Sequence, residues 1–578
     1  MHSLKTCAGA HLAAPTRLFL AEAGRRSDGR GLSALQGIAT AGGMLLVSAS
    51  CSLLVAAGAA APPLLTLKQG RVLGALDEKL GVERFLGVPF AEPPVGPRRW
   101  QPPAPRRAWA GTRPALSYSD SCAQSSNFFD SLAPGSEDCL YLNLFIPARR
   151  ATVPRPVMIF FYGGSDETGS AMSPLYTGGN LVARTGDLVV VTVNYRLNAF
   201  GWLGGDLLRG SDNSTGNWGL QDQRLAVEFV RSNAAALGID LSRLMIFGES
   251  AGAANTGAHL VSHRSRGLFS RAAMESGPPS AVWTSQSLSR ANARLEALAT
   301  HAGCSGASIA SCLRALNTSQ IQAADHSLPS GAFPGLIDWS AVVDGVEFSD
   351  QLRVLVDKGQ IAPVPVLLGT NRNEGSTFTK VPVTGNISNY ENWLTANLGA
   401  TPAQREQILH RYPPSHFLRT PFGSSAWWAS SAVVSDYAMT CPTERTARQI
   451  TRQGGQAFRY FFEEKLSLVD AIEAADKKPL GVFHGSELVL VFGQEELLLE
   501  AKEKELSQAV MLMWSNFARH GDPTPGGGGG GVGSNWTWPA FGSDGATLGL
   551  GMPPRVLRGL RRPECELWGE LGVIEPKG

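Results

Sequence analysis

The residues Gly248-Glu249-Ser250-Ala251-Gly252 end an apolar run that reads LMIFGESAGAAN in full. A serine at the centre of G-x-S-x-G can act as a nucleophile when the motif forms a sharp strand-to-helix turn. The context has that form. Residues 244–247 are apolar and short, as in a buried strand, and small residues from Ala251 onward open a helix. Such a turn pushes the serine hydroxyl out of its sheet. The flanking glycines are needed because a Cβ would clash within so tight an elbow. The N–H of Ala251 points into the same space and can bind a developing oxyanion. With 65 glycines in 578 residues, chance supplies the motif roughly half a time. Its partners therefore decide its meaning.

A serine hydroxyl is a poor nucleophile near neutral pH. It needs a base within hydrogen-bond reach, and the base needs an acid to set its tautomer and stabilise its charge. On an α/β-hydrolase sheet these follow in the chain order nucleophile, acid, histidine. Beyond residue 370 the histidines are His410, His416, His484 and His520. His410 sits in a helical pattern (REQILHRY), His416 in a polar loop after two prolines, and His520 at a helix end (ARHGDP). His484, in GVFHGSELVLVFG, has a glycine beside it and leads into an apolar segment, which suits a base projected from a loop. Spacing by itself leaves the choice among them open. For the acid, Glu374 in LLGTNRNEGSTF directly follows an apolar run, where ligand-facing residues sit in open α/β sheets. A second source of oxyanion donors is the turn Tyr162-Gly163-Gly164-Ser165 after the strand pattern at 157–162. Small residues there let backbone approach a substrate.

Elements that position these groups are legible as apolar or β-branched runs at 157–162, 188–195, 244–247, 364–369 and 457–462. Runs of this kind are buried on both faces of a mostly parallel sheet. Helical patterns at 223–233 and 506–519 lie between or after them. The fold class is α/β. Residues 526–531 are six consecutive glycines, read as a flexible surface loop. No helix start with Lys and Ser/Thr follows them, so they are not a phosphate loop.

Composition narrows the setting. Hydrophobic residues make up 43% and charged residues 17% of the chain, enough to bury a large core. A net charge of +2 gives no electrostatic case for nucleic acid. Residues 1–61 read as a leader: Arg25, Arg26 and Arg30 precede an apolar stretch ending AAGAAAPP. That is the form of a secretory signal with cleavage near Ala61, or of an uncleaved anchor, since the stretch is long enough to span a bilayer. Met44 is an alternative start. Residues 62–578 are then one domain. N-x-[ST] sequons at Asn213, Asn317, Asn386 and Asn535 are glycosylation candidates in a secreted chain. Beyond the leader stand Cys122, Cys139, Cys304, Cys312, Cys441 and Cys565. Six cysteines allow 15 connectivities. The close pairs 122/139 and 304/312 invite local loops, which would leave Cys441 for Cys565. There is no CxxC, and no metal site is expected.

Taken together, GVPFAEPPVGPRRW (87–100), SEDCLYLNLFIP (136–147), NYRLNAFGWLG (194–204), GNWGLQDQRLAVEFV (216–230), IFGESAGA, GTNRNEGS and GVFHGSEL resemble the type-B carboxylesterase/lipase family, which includes the cholinesterases. The resemblance runs from about residue 65 to the end. It implies an α/β-hydrolase fold, with a large central, mostly parallel sheet flanked by helices. It implies hydrolysis of small-molecule or lipid-like esters without cofactor or metal, with Ser250 as nucleophile, Glu374 as acid and His484 as base. It further implies an oxyanion hole from the N–H groups of Gly164, Ser165 and Ala251, support of the acid by Ser276, and a buried gorge glutamate at Glu249. The family's pairing carried over gives Cys122–Cys139, Cys304–Cys312 and Cys441–Cys565. The oligomeric state is left open.

The sequence departs from the family in two places, the oxyanion turn with the residues after it and the Cys122–Cys139 segment. Ser165 replaces the usual third oxyanion glycine and is strained if its φ is positive. Asp166-Glu167 follow where relatives carry aromatics, and either make the acyl side more polar or face solvent. The segment from Cys122 to Cys139 contains no tryptophan. Cholinesterases use one there to hold a quaternary ammonium, so choline esters are not the expected main substrate. A non-catalytic binding protein on the same fold is the alternative from another class.

Overall fold

Seven parallel strands carry the site. In spatial order they are Val189–Val193, Arg155–Phe161, Ile239–Glu249, Arg271–Glu275, Val366–Asn371, Ala457–Phe462 and Thr547–Leu550. The computed structural model describes residues 61–124, 135–329, 338–524 and 537–573. The leader up to residue 60, the glycine run and Asn535 lie outside the described residues. The strands are apolar on both faces because both faces are covered: every residue of Arg155–Phe161, Val189–Val193, Val366–Asn371 and Ala457–Phe462 is buried. Helices Ala251–Val261 and Ala501–His520 both pack on the central strands. In the latter, Leu506, Val510, Met513, Trp514 and Phe517 are all buried, the helical periodicity of a core-facing stripe. Gly521 ends it at φ 74°, a left-handed cap that glycine takes without strain.

The sheet has 11 strands. The expected parallel centre is present, and antiparallel strands extend both edges. On one side Tyr141–Pro147, Val82–Pro89 and Ala75–Asp77 run antiparallel to their neighbours; on the other Arg555–Leu557 does. The apolar runs at 157–162, 188–195, 244–247, 364–369 and 457–462 all lie on observed strands, shifted by a few residues at most ends. The strand before Ser250 is longer than expected, beginning at Ile239. Its first half, IDLSR, is polar and half-buried, so hydrophobicity alone does not mark it. Arg271–Glu275 was not expected as a strand. It is short and starts and ends on charged residues.

A separate apolar cluster, including Tyr390, Trp393, Trp427, Tyr412 and Trp568, joins helices Ile387–Ala396, Pro402–Arg411, Ser425–Ser435 and Arg562–Leu571. Disulfide Cys441–Cys565 spans 124 residues and ties the last helix to this cluster. The ion pair of Arg561 with buried Asp436 reinforces the junction. Cys122–Cys139 and Cys304–Cys312 close the two short loops. Asn213, Asn317 and Asn386 are exposed. The last two cap helices through their side-chain oxygens, which leaves the amide nitrogen of each turned away from the capping bond. Replacing Cys441 and Cys565 together by serine is expected to lower the unfolding free energy by up to about 5 kcal/mol, the chain-entropy value for so long a loop. Denaturant titration of the purified variant measures it.

Candidate active site

Ser250 stands between the strand Ile239–Glu249 and the helix Ala251–Val261 with φ 57° and ψ −124°. A non-glycine residue with such a backbone stores strain of roughly 1–3 kcal/mol. The surroundings impose it. The Ser250 N–H donates to Glu275 O at 2.8 Å, and Ala254 N donates to Ser250 O at 2.9 Å. A Cβ on Gly252 would lie 2.0 Å from Phe161 O, and one on Gly248 would lie 2.4 Å from the Gly252 carbonyl. The elbow therefore closes only with glycine at both positions.

Glu374 reaches the same place from another strand end, and His484 from the loop after helix Ser467–Asp476. Glu374 follows strand Val366–Asn371 and is fully buried. One carboxylate oxygen accepts from Ser276 Oγ at 2.5 Å and from Asn371 N at 2.6 Å. The other lies 2.6 Å from His484 Nδ1. This fixes the imidazole with its second nitrogen toward the elbow. His484 Nε2 lies 3.3 Å from an oxygen of Glu249, the residue before Ser250. Nε2 makes no hydrogen bond among the described residues. None joins it to Ser250 Oγ here; such contacts characteristically tighten only when substrate binds. The edge of Phe378 packs on the imidazole at 4.9 Å. Of the remaining histidines considered, His410, His416 and His520 are exposed. His520 ends its helix as the sequence suggested.

The turn after Arg155–Phe161 supplies the opposite wall. A Cβ on Gly163 would fall 2.7 Å from Ser250 Cβ, so the turn touches the elbow directly. Gly164, Ser165 and Asp166 have φ of 119°, 58° and 59°. Ser165 thus adopts the strained conformation that its place in the oxyanion pattern raised as a possibility. The turn is closed by Glu167 N and Thr168 N, each donating to Gly164 O at 3.0 Å. The N–H groups of Gly164, Ser165 and Ala251 donate to no group among the described residues. Asp166 does not face solvent. It is 2% exposed, and burial holds its carboxyl well above the usual carboxylate range. Glu167 is pushed up to about 7, first by burial and then by Asp338 and Asp325.

Charge in the site is set by burial against neighbours. Burial presses the His484 imidazole down, but Glu249 and Glu374 override it and lift it to about 9. Burial raises Glu249, against the attraction of His484. The two lie across a 3.3 Å contact. Behind them is a layer to which no role was assigned from sequence. Glu487 accepts from Asn371 Nδ2 at 2.5 Å and Tyr460 Oη at 3.2 Å. Glu275 accepts from Trp514 Nε1 at 2.6 Å. Glu487 is lifted to about 7 and Glu275 is held well above the usual carboxylate range, both chiefly by burial. The available signal was an acid inside an apolar run, in HGSELVLVFG and in RAAMES. Among the described residues no group of His, Cys, Asp and Glu could hold a metal ion.

Gly252→Ala is expected to prevent closure of the elbow. The soluble, folded yield should fall sharply against wild type, and any folded fraction should melt at lower temperature by differential scanning fluorimetry. Wild-type yield and melting would show that Phe161 can yield.

Residues 61–568 match the family model described as the carboxylesterase family. The chain is also 32% identical over 543 residues to the cholinesterase of Mus musculus, covering 87% of this chain and 86% of that protein. By both measures this chain belongs to the carboxylesterase family and is a serine hydrolase of carboxylic esters.

Proposed function

We propose that Ser250, His484 and Glu374 are the nucleophile, base and acid of a two-step ester hydrolysis, with Gly164, Ser165 and Ala251 supplying the oxyanion hole. The observation that carries this reading is the bonded series Ser276 Oγ, Glu374, His484 Nδ1, which leaves Nε2 beside the strained elbow with no hydrogen bond among the described residues. His484 takes the Ser250 proton as Oγ attacks the ester carbonyl carbon. The oxyanion of the tetrahedral intermediate accepts from the three N–H groups. His484 then protonates the departing alcohol, leaving an acyl-serine. Water, deprotonated by His484, attacks the acyl carbon, and Ser250 leaves with the proton returned to it. Glu374 stabilises the imidazolium through its contact with Nδ1, and Ser276 holds Glu374 in place. Glu249 sets the charge around Nε2. None of these steps calls for a cofactor.

The substrate class we favour is uncharged small-molecule or lipid-like esters. The Cys122–Cys139 segment lacks the tryptophan that would hold a quaternary ammonium. The three disulfides and four sequons suit an oxidising, secretory setting, with residues 1–61 as the leader, cleaved near Ala61 or kept as an anchor. No described helix is long and apolar enough to cross a membrane.

Ser250→Ala should lose at least about 1,000-fold in kcat on a short p-nitrophenyl ester; retention of most activity refutes the assignment. In a hydrolysis panel, simple acyl esters should exceed a choline ester in kcat/KM, and the reverse order removes the argument from the missing tryptophan. The base must be neutral to accept a proton, and its raised position means that the neutral form gains only above the ordinary imidazole value of about 6.5. So kcat/KM should climb between pH 7 and 9, where His484 is lifted to about 9. Glu249→Gln removes a carboxylate that favours the histidinium and should move the midpoint to lower pH. A midpoint that stays or rises overturns this role for Glu249.

A further inference from the structure

The turn that carries Gly164 and Ser165 has positive φ at three successive residues, 119°, 58° and 59°, and the last two, not being glycine, are strained. A run of this kind turns successive N–H groups toward one concavity suited to an anion. It must be braced, because residues in such conformations persist only when their surroundings over-determine them. The opposite donor, Ala251 N–H, belongs to a different element, the first residue of helix Ala251–Val261. Something must set the distance between the two.

One side-chain bond spans that gap. Asn255 Nδ2 donates to Asp166 Oδ1 at 2.8 Å. Asp166 is the second of the two strained residues, and Asn255 lies about one turn beyond Ala251 on the nucleophile helix. Both residues are 2% exposed. The backbone of Asp166 is anchored as well, its carbonyl accepting from Asn198 N at 2.6 Å, while Asn198 Nδ2 bonds Ala123 O at 2.7 Å and Glu167 O at 3.3 Å. Below the pair, Tyr195 stacks on Tyr162 and donates to Tyr162 O at 2.5 Å, at the root of the same turn.

We infer that Asp166 and Asn255 form a positioning pair that fixes the Gly164–Ser165 donors against Ala251 and Ser250, and so sets the strength of the oxyanion hole. The pair touches no reacting atom. It acts through the backbone N–H groups, which matter most when the carbonyl oxygen becomes an oxyanion. Loosening it therefore lowers kcat rather than raising KM. Burial raises the Asp166 carboxyl, and its Oδ1 accepts from Asn255; asparagine at 166 retains both the shape and that accepting oxygen. Asparagine also tolerates the left-handed backbone.

The inference rests on the oxyanion reading above, and the experiment separates the two. The full-length enzyme and its variants are titrated with an organophosphate that labels Ser250, and kcat is expressed per labelled site on a short p-nitrophenyl ester. Asn255→Ala and Asp166→Ala should each lower kcat roughly 10- to 100-fold, a typical loss for a misplaced catalytic group, with KM within about threefold. Affinity for a trifluoromethyl ketone, which mimics the tetrahedral oxyanion, should fall by the same factor. In the Asp166→Ala background, Asn255→Ala should add little, because the shared bond is already gone. Asp166→Asn should recover most of the loss. Should Asp166→Ala not fold, Asn255→Ala and Asp166→Asn still read the bond from both sides. Unchanged kcat per labelled site, fully additive losses, or a fall in melting temperature alone would overturn the pairing. A wild-type enzyme that is not labelled at Ser250 would instead overturn the catalytic reading itself.

Discussion

The closure of the elbow at Ser250 is the constraint on which the other parts depend. The strand Ile239–Glu249 must turn into the helix Ala251–Val261 with no spare volume, and four glycines mark how little there is. Cβ atoms on Gly163, Gly248, Gly252 and Gly277 would all fall within 2.7 Å of backbone or Cβ atoms of the elbow or its neighbours. That crowding forces Ser250 to positive φ. The strain is held by the sheet, because Ser250 N–H donates to Glu275 O on the adjacent strand. A fully buried parallel sheet is a rigid platform, so the cost of the elbow is borne by packing elsewhere.

From that platform two of the groups that meet Ser250 come from strand ends and the third from a loop tied to the sheet. Glu374 leaves Val366–Asn371, the Gly163–Asp166 turn leaves Arg155–Phe161, and His484 arrives on a loop tied to Asn371 and Asn373 by hydrogen bonds to Phe483 O and Val482 N. Their relative placement follows from the register of parallel neighbours rather than from nearness in sequence. The site is also unusually acidic inside. Glu249, Glu275, Glu374 and Glu487 are all buried. They cannot all be ionised in so little dielectric screening, and the raised positions of Glu249, Glu275 and Glu487 are the physical answer. The negative charge that remains is felt by His484.

Much of this was legible in the chain because the signals are local. Apolar β-branched runs located the strands, and glycine on both sides of Ser250 located the elbow. His484 was different. Spacing left four histidines open, and only the family resemblance separated them. Burial then gives the same separation a physical basis, since His410, His416 and His520 are exposed while His484 is enclosed. The strand Arg271–Glu275 was missed because its charged ends hide a short apolar centre. The layer of Glu275, Glu487, Tyr460 and Trp514 was missed because its members are far apart in sequence and meet only through the sheet and the helix behind it.

By itself the sequence determined the fold class, the G-x-S-x-G turn and, through resemblance, the family, because these depend on residue type and short-range spacing. The tertiary structure decided the rest. It decided that Ser165 has positive φ and that Asp166 is buried against Asn255, 89 residues away, rather than facing water. It also decided that His484 is charged more readily than an ordinary imidazole. Each of these depends on which groups surround a residue in three dimensions. Desolvation, Coulomb interaction and backbone strain are properties of that neighbourhood, and no local pattern of residues encodes them.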